Sequence, residues 1–203
     1  MTHTINLYLL RHGKPEGKPA LNGFTDVTVP LATQQAISQA LADKNLGFQH
    51  IITSPLSRCS ELAEVMVKSN SALSLTLETE FREMNFGRLD GVPFDNIAED
   101  WQKLEAFWQD PAKHTLPGAE SLDDFHERVS TCFEQYAEKV NQDTLIICHG
   151  GTIRMILAFL LKLDWRNPAL YSVLTIGYQS LTHIKITHAD KRYSQVCSIS
   201  QPL

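Results

Sequence analysis

Two short, nearly all-apolar runs each end on a histidine followed by glycine, and this repeated ending constrains the fold more than any other feature of the chain. Ile5 to Leu10 (INLYLL) leads into Arg11-His12-Gly13, and Thr144 to Cys148 (TLIIC) leads into His149-Gly150-Gly151. Apolar runs this short, bounded by polar and Gly-containing sequence, suit strands buried on both faces of a sheet, which requires cover above and below.

The intervening sequence supplies that cover. Leu31 to Leu46 carries Ala36, Ile37, Ala40 and Leu41 at helical spacing and stops at Gly47. His50 to Thr53 reads as a second strand. Ser54-Pro55 reads as the cap and first residue of a helix whose stripe is Cys59, Leu62, Ala63 and Met66. Leu75 to Leu77 forms a third short strand. Ile97, Trp101, Leu104 and Trp108 recur at helical spacing, as do Leu122, Phe125, Val129, Cys132, Phe133, Tyr136 and Val140, predicting two amphipathic helices. Both tryptophans and Phe107 are expected in the core. Thr152 to Leu163 is an apolar helix, and Ser180 to Thr187 and Tyr193 to Ser200 are closing strands. Strands alternating with helices predict an α/β fold: three layers, α/β/α, with a mainly parallel central sheet and helices on both faces. The 203 residues, 43% hydrophobic, are enough for a single domain over 1–203, with no repeat or linker.

On this framework the unusual residues gather. Arg11-His12-Gly13, the segment Ser54 to Arg58, and His149-Gly150-Gly151 each follow the C-terminal end of a strand. In an open parallel sheet those ends share one edge where ligands bind, so residues over a hundred positions apart can meet there. The glycines allow close backbone approach, and the amides opening the last helix, Gly150 included, favour an anion. The implied ligand is a phosphate. A neutral imidazole flanked by Arg11 and Arg58 is a nucleophile, so His12 is expected to attack phosphorus and form a phosphohistidine. Arg11, Arg58 and His149 would supply the positive charge that a metal supplies elsewhere, the arginines by bidentate grip. Glu83, a carboxyl group within Phe81-Arg82-Glu83-Met84-Asn85-Phe86-Gly87, is the candidate proton donor to the leaving alkoxide and later the activator of water.

Taken singly, each of these residues has a plainer reading. Arg-His-Gly is a weak motif alone, a lone histidine is as often a turn or core residue, and Arg58 and Glu83 would ordinarily be solvated. Their weight comes from the joint pattern. The other histidines, His3, His114, His126, His183 and His188, show no metal-ligand spacing. A net charge of -5 argues against a nucleic-acid or membrane-surface binder. Cys59, Cys132, Cys148 and Cys197 form no CxxC pair, which fits reduced thiols in a cytoplasmic protein. No leader pattern or long apolar run is expected to send the chain to or across a membrane.

The set Leu10-Arg11-His12-Gly13, Thr53-Ser54-Pro55-Leu56-Ser57-Arg58, Glu83-Met84-Asn85-Phe86-Gly87 and Cys148-His149-Gly150-Gly151 resembles the histidine phosphatase superfamily in its phosphoglycerate mutase-like branch, over nearly the whole chain. The resemblance implies His12 as phospho-acceptor, Arg11, Arg58 and His149 as phosphate ligands, and Glu83 as proton donor, with no metal and no cofactor. Within the branch the chain is most similar to bacterial alpha-ribazole phosphatases of cobalamin nucleotide-loop assembly, through Asn22-Gly23-Phe24-Thr25-Asp26 and Pro117-Gly118-Ala119-Glu120-Ser121. It departs at Lys14-Pro15-Glu16, where an acidic-then-hydroxyl pair is usual, and lacks the serine, asparagine and long lid of the mutases. Alternatives kept are a broad-specificity phosphatase, a phosphoglycerate mutase and an inactive phospho-ligand binding module. Lys14, Asn22, Thr25 and Arg88 are the candidate substrate contacts outside the transferred phosphate, and residues 94–121 the expected cap that selects substrate. The expected partner is a small-molecule phosphate monoester, with neither nucleic acid nor membrane, and a homodimer left open.

Overall fold

The computed structural model describes residues 2–203. Along the chain run β1 (His3–Arg11), α1 (Leu31–Asp43), β2 (His50–Thr53), α2 (Ser57–Ser69), β3 (Ser74–Leu77), α3 (Trp101–Gln109), α4 (Leu122–Lys139), β4 (Thr144–Cys148), α5 (Gly150–Leu161), α6 (Ala169–Ser172), β5 (Ser180–His188) and β6 (Arg192–Pro202). The strands form one sheet in the order β3-β2-β4-β1-β5-β6. The first four in that order run parallel, and β5 and β6 close the sheet antiparallel.

The apolar runs of β1 and β4 take the centre because both their faces are covered. All five β4 residues are buried. Ile5, Leu7, Leu9, Ile146 and Cys148 face one way, against Phe125, Val129 and Phe133 of α4 and Ile153 and Ile156 of α5. Tyr8, Leu10, Leu145 and Ile147 face the other, against Ile37 and Leu41 of α1 and Leu62 and Met66 of α2. Side chains alternating between two apolar layers are what a strand with few polar residues permits. The three-layer, mainly parallel arrangement expected from the sequence is the one observed.

Register then sets the site. Arg11 pairs with Cys148 between β1 and β4, and Thr53 pairs with Ile147 between β2 and β4. The three motif-bearing strands therefore end level. The His12 amide donates to the Cys148 carbonyl (3.1 Å) and the Ser54 amide to the Ile147 carbonyl (3.0 Å), extending the ladder into the motifs.

Four local expectations need correction. First, α2 begins at Ser57, not at Ser54-Pro55, because the Ser54 amide belongs to the sheet ladder and its hydroxyl is turned inward. The helix start is instead held by Asp26, whose carboxylate accepts from the Ser57 amide (2.7 Å) and hydroxyl (2.8 Å). Second, α1 ends at Asp43 rather than Leu46, and α5 begins at Gly150 rather than Thr152, with His149 as its flanking residue. Third, α3 begins at Trp101, after 3-10 turns at Phe94–Asn96 and Ala98–Asp100. Fourth, Trp101 and Trp108 are not core: they are 43% and 42% exposed and pack edge to face on each other, while Phe107 and Leu104 are buried. The tryptophan stripe thus lies to one side of the buried face. The single-turn α6 had no signal in the sequence pattern. No helix among the described residues is long and apolar enough to cross a membrane.

Candidate active site

His12 and His149 meet at the level ends of β1 and β4, with ring centroids 5.1 Å apart. Both are nearly or fully buried. His12 Nδ1 lies 2.7 Å from the Gly13 carbonyl. A carbonyl can only accept, so Nδ1 is the protonated nitrogen and Nε2 keeps its lone pair in the neutral ring. Burial lowers the His12 pKa well below the ordinary 6.5, the Arg58 charge adds to this and Arg11 adds less, while the Gly13 bond opposes it. The ring is held neutral, which is the nucleophilic form.

His149 has the opposite tautomer. Arg58 Nε, always a donor, points at His149 Nδ1 (3.1 Å), so Nε2 holds the proton and donates it to Ser54 Oγ (2.8 Å). Burial, then Arg58, His12, Arg11 and Arg128, lower its pKa well below 6.5 as well.

Arg58, in the first turn of α2, is fully buried. Four of its five N–H groups are engaged: Nε by His149, Nη1 by the Thr25 carbonyl (3.0 Å), and Nη2 by the Asn22 (3.0 Å) and Gly23 (2.6 Å) carbonyls. This corrects the expected two-pronged grip, since only one Nη1–H remains for an anion. Asn22 and Thr25 approach the site through their carbonyls on Arg58. Their loop is fixed from its other side by Asp90, whose carboxylate accepts the amides of Gly23 (3.1 Å), Phe24 (2.7 Å), Thr25 (2.8 Å) and Phe86 (3.0 Å).

Arg11 donates Nη1 to the Ile176 carbonyl and lies on the Tyr178 ring, 3.8 Å from its centroid. Its Nε is buried with no partner. A Cβ placed on Gly150 would sit 3.2 Å from that Nε, so the unpartnered donor faces the start of α5. A buried, unpartnered N–H beside a helix N-terminus suits an anion.

Glu83 stands on the far side of the same helix start. One carboxylate oxygen accepts the Met84 amide (3.1 Å) and the other the Gly151 amide (3.0 Å). A Cβ on Gly151 would lie 2.2 Å from Glu83 Oε1, so only glycine permits this approach. The Glu83 loop is tied down by Arg128, which donates to the carbonyls of Glu80, Arg82 and Glu83 and pairs with both carboxylate oxygens of Glu120. Glu120 and Ser121, the N-cap of α4, give the Pro117 to Ser121 segment its structural part.

Beyond Glu83 opens a cavity of about 320 Å³ whose walls include Glu83, Gly151, Arg154, Phe86, Phe107 and Trp108. Of the other candidates, Lys14 is exposed, and Arg88, largely exposed, lies 3.9 Å from Asp100. Asp90, Ser54, Tyr178 and Arg154 were missed in the sequence. Ser54 was in view but read as a cap, and Arg154 lies one helical turn after Gly150. Asp90 and Tyr178 had no pattern to mark them.

Comparison with known proteins identifies the family. The model of the histidine phosphatase superfamily (branch 1) matches residues 7–198. A Hydrogenobacter thermophilus protein named "Putative phosphoserine phosphatase 2" is 30% identical over 79% of this chain and 81% of its own length. "Probable phosphoglycerate mutase GpmB" of Yersinia pestis is 26% identical over 78% and 76%. The crystal structure of the alpha-ribazole phosphatase from Shigella flexneri superposes with a TM-score of 0.77 over 98% of each chain at 19% identity, a likeness of fold.

Proposed function

The chain belongs to the histidine phosphatase superfamily, and from that premise we propose that it is a metal-independent phosphomonoesterase working through a phosphohistidine on His12, with alpha-ribazole 5'-phosphate as its substrate. The observation that supports this most is the bond from His12 Nδ1 to the Gly13 carbonyl, because it leaves Nε2 unprotonated in a ring that burial and two arginines keep neutral.

In this reading the phosphoryl group lies between the free Nη1–H of Arg58, Arg11 Nε and the Gly150 amide that opens α5, the Gly151 amide being taken by Glu83. Together they balance the charge spread over the equatorial oxygens. Nε2 attacks phosphorus as the ester P–O bond breaks, and the departing alkoxide takes a proton from Glu83. Water then gives a proton to the Glu83 carboxylate as its oxygen attacks phosphorus, the N–P bond breaks, and inorganic phosphate leaves with Nε2 restored. His149, with both ring nitrogens engaged by Arg58 and Ser54, orients Arg58 and meets the phosphate if Ser54 releases Nε2–H.

Two features favour alpha-ribazole 5'-phosphate over sugar phosphates: the Asn22 to Asp26 and Pro117 to Ser121 segments, and a cavity beside Glu83 walled by aromatic rings, since the substrate's base is a flat methylated bicycle. The cap over 94–121 supplies Phe107, Trp108 and Pro111 to that cavity. A cytoplasmic location suits four free cysteines.

Phosphate release from alpha-ribazole 5'-phosphate, sugar phosphates, nucleotides and 3-phosphoglycerate, with excess EDTA present, tests the proposal. A strong preference for the first supports it. Broad, weak hydrolysis withdraws that substrate, and activity restored only by added metal overturns the mechanism. His12→Ala is expected to stay folded and lose turnover by about 10⁴-fold or more, together with the acid-labile phosphoryl label trapped by rapid quench.

A further inference from the structure

The geometry points to a leaving-group subsite built for an aromatic alcohol, in which Arg154 reads an acceptor close to the ester; this inference rests on the phosphatase reading above. The cavity beside Glu83 holds the volume of about ten waters at roughly 30 Å³ each. Five of its wall residues are aromatic: Phe86, Phe107, Trp108, Phe125 and Tyr171. Phe86 and Phe107 meet edge to face at 6.0 Å, which leaves ring faces and edges turned to the space between them. Such walls favour a flat ring over a polyhydroxylated chain, whose hydroxyls would lose water and find few partners.

The polar end is equally particular. Arg154 donates Nε and Nη2 to the Leu174 carbonyl (3.2 and 3.0 Å). Its Nη1 has no protein partner among the described residues, and it lies 3.5 Å from where a Cβ on Gly150 would stand. Arg154 is the one arginine or lysine on this wall, and it shares the wall with Glu83 and Gly151. Arg11 Nε and Arg154 Nη1 flank the same point over Gly150, at 3.2 and 3.5 Å from where a Cβ there would stand. Because Arg154 also lines the cavity with Glu83 and Gly151, its Nη1 suits an oxygen where the phosphoryl group meets the alcohol, the ester oxygen or a ring oxygen or hydroxyl next to it.

This places the ring-bearing part of the substrate among residues that come from six separate stretches of chain. Trp108 is the wall residue best suited to a test, since it is half exposed and its removal should not unfold the core.

Binding of 2-(1-naphthyl)ethylphosphonate and of ethylphosphonate, which cannot be hydrolysed, is measured by calorimetry on the full chain and its Trp108→Ala and Phe107→Leu variants. The naphthyl compound is expected to bind at least about tenfold tighter, and each variant to shrink that ratio by about threefold or more. Equal affinities, a ratio indifferent to both variants, or tighter binding of the phosphonate analogue of phosphoserine would overturn the subsite. Turnover of the matching phosphates is followed in parallel. Absent turnover with the ring preference intact overturns the phosphatase reading and supports the subsite, whereas turnover without ring preference overturns the subsite alone.

Discussion

Arg58 decides which nitrogen of His149 holds its proton, because its Nε can only donate to Nδ1, and the Ser54 hydroxyl is the acceptor for the proton left on Nε2. Ser54→Ala leaves a buried N–H without an acceptor. The variant is expected to lose about 1–3 kcal/mol in urea unfolding and about tenfold in kcat, as His149 no longer holds the Arg58 fork in one orientation. Wild-type stability in Ser54→Ala would show that the pairing is incidental. At this scale the sequence was a partial guide. The identities of His12, His149, Arg11, Arg58 and Glu83 stood out through their places after strands. How many donors each had left for a substrate did not, since Arg58's partners lie 33 to 91 positions away.

Two elements hold the reacting groups apart at the right spacing. The start of α5 seats Glu83 on the Gly151 amide (3.0 Å), with no room for a side chain at Gly151. Gly151→Ala should keep stability within about 1 kcal/mol, since alanine suits a helix, yet lower kcat roughly a hundredfold by displacing the proton donor. Steady-state kinetics with little change in KM would bear this out, and unaltered kcat would remove Glu83 from that role. The loop of residues 22–25 is the second element. Arg58 takes its carbonyls and Asp90 takes its amides, so the loop links the two. Asp90→Ala is expected to cost about 3 kcal/mol or more, to speed amide exchange at Gly23, Phe24 and Thr25, and to raise KM about tenfold. Slow exchange retained at those amides would refute the clamp. The strands and α4 were legible because their apolar periods are long and regular. The start of α2 and the face of α3 were not, because a distant Asp26 caps the first, and tertiary packing rather than the tryptophan spacing chose the buried side of the second.

The whole molecule has a pH dependence set by its two buried imidazoles. Both have folded pKa values well below 6.5. Below about pH 6.5 the unfolded chain binds protons that the folded chain refuses, so stability is present above that pH and falls as the pH drops toward the folded values. The urea midpoint should be lower at pH 5.5 than at pH 7.5, and the slope of stability against pH should be shallower by about one proton in His12→Gln. A His12→Gln slope equal to that of the wild type would mean that His12 takes up its proton when folded. The same burial keeps the nucleophile neutral, so loss of kcat/KM from protonation of His12 should set in only well below pH 6.5.

What the sequence determined by itself was the order of strands and helices, the mainly parallel three-layer frame and the meeting of two histidines and two arginines at one sheet edge. Each of these follows from local periodicity and from the rule that parallel strands end on a shared edge. Only the tertiary structure decided the tautomers of His12 and His149, the single donor left on Arg58, the Asp90 clamp and the aromatic cavity beside Glu83. The reason is physical: hydrogen bonds and cavities are made between side chains and carbonyls far apart in the chain, and no short-range pattern records which of them will meet.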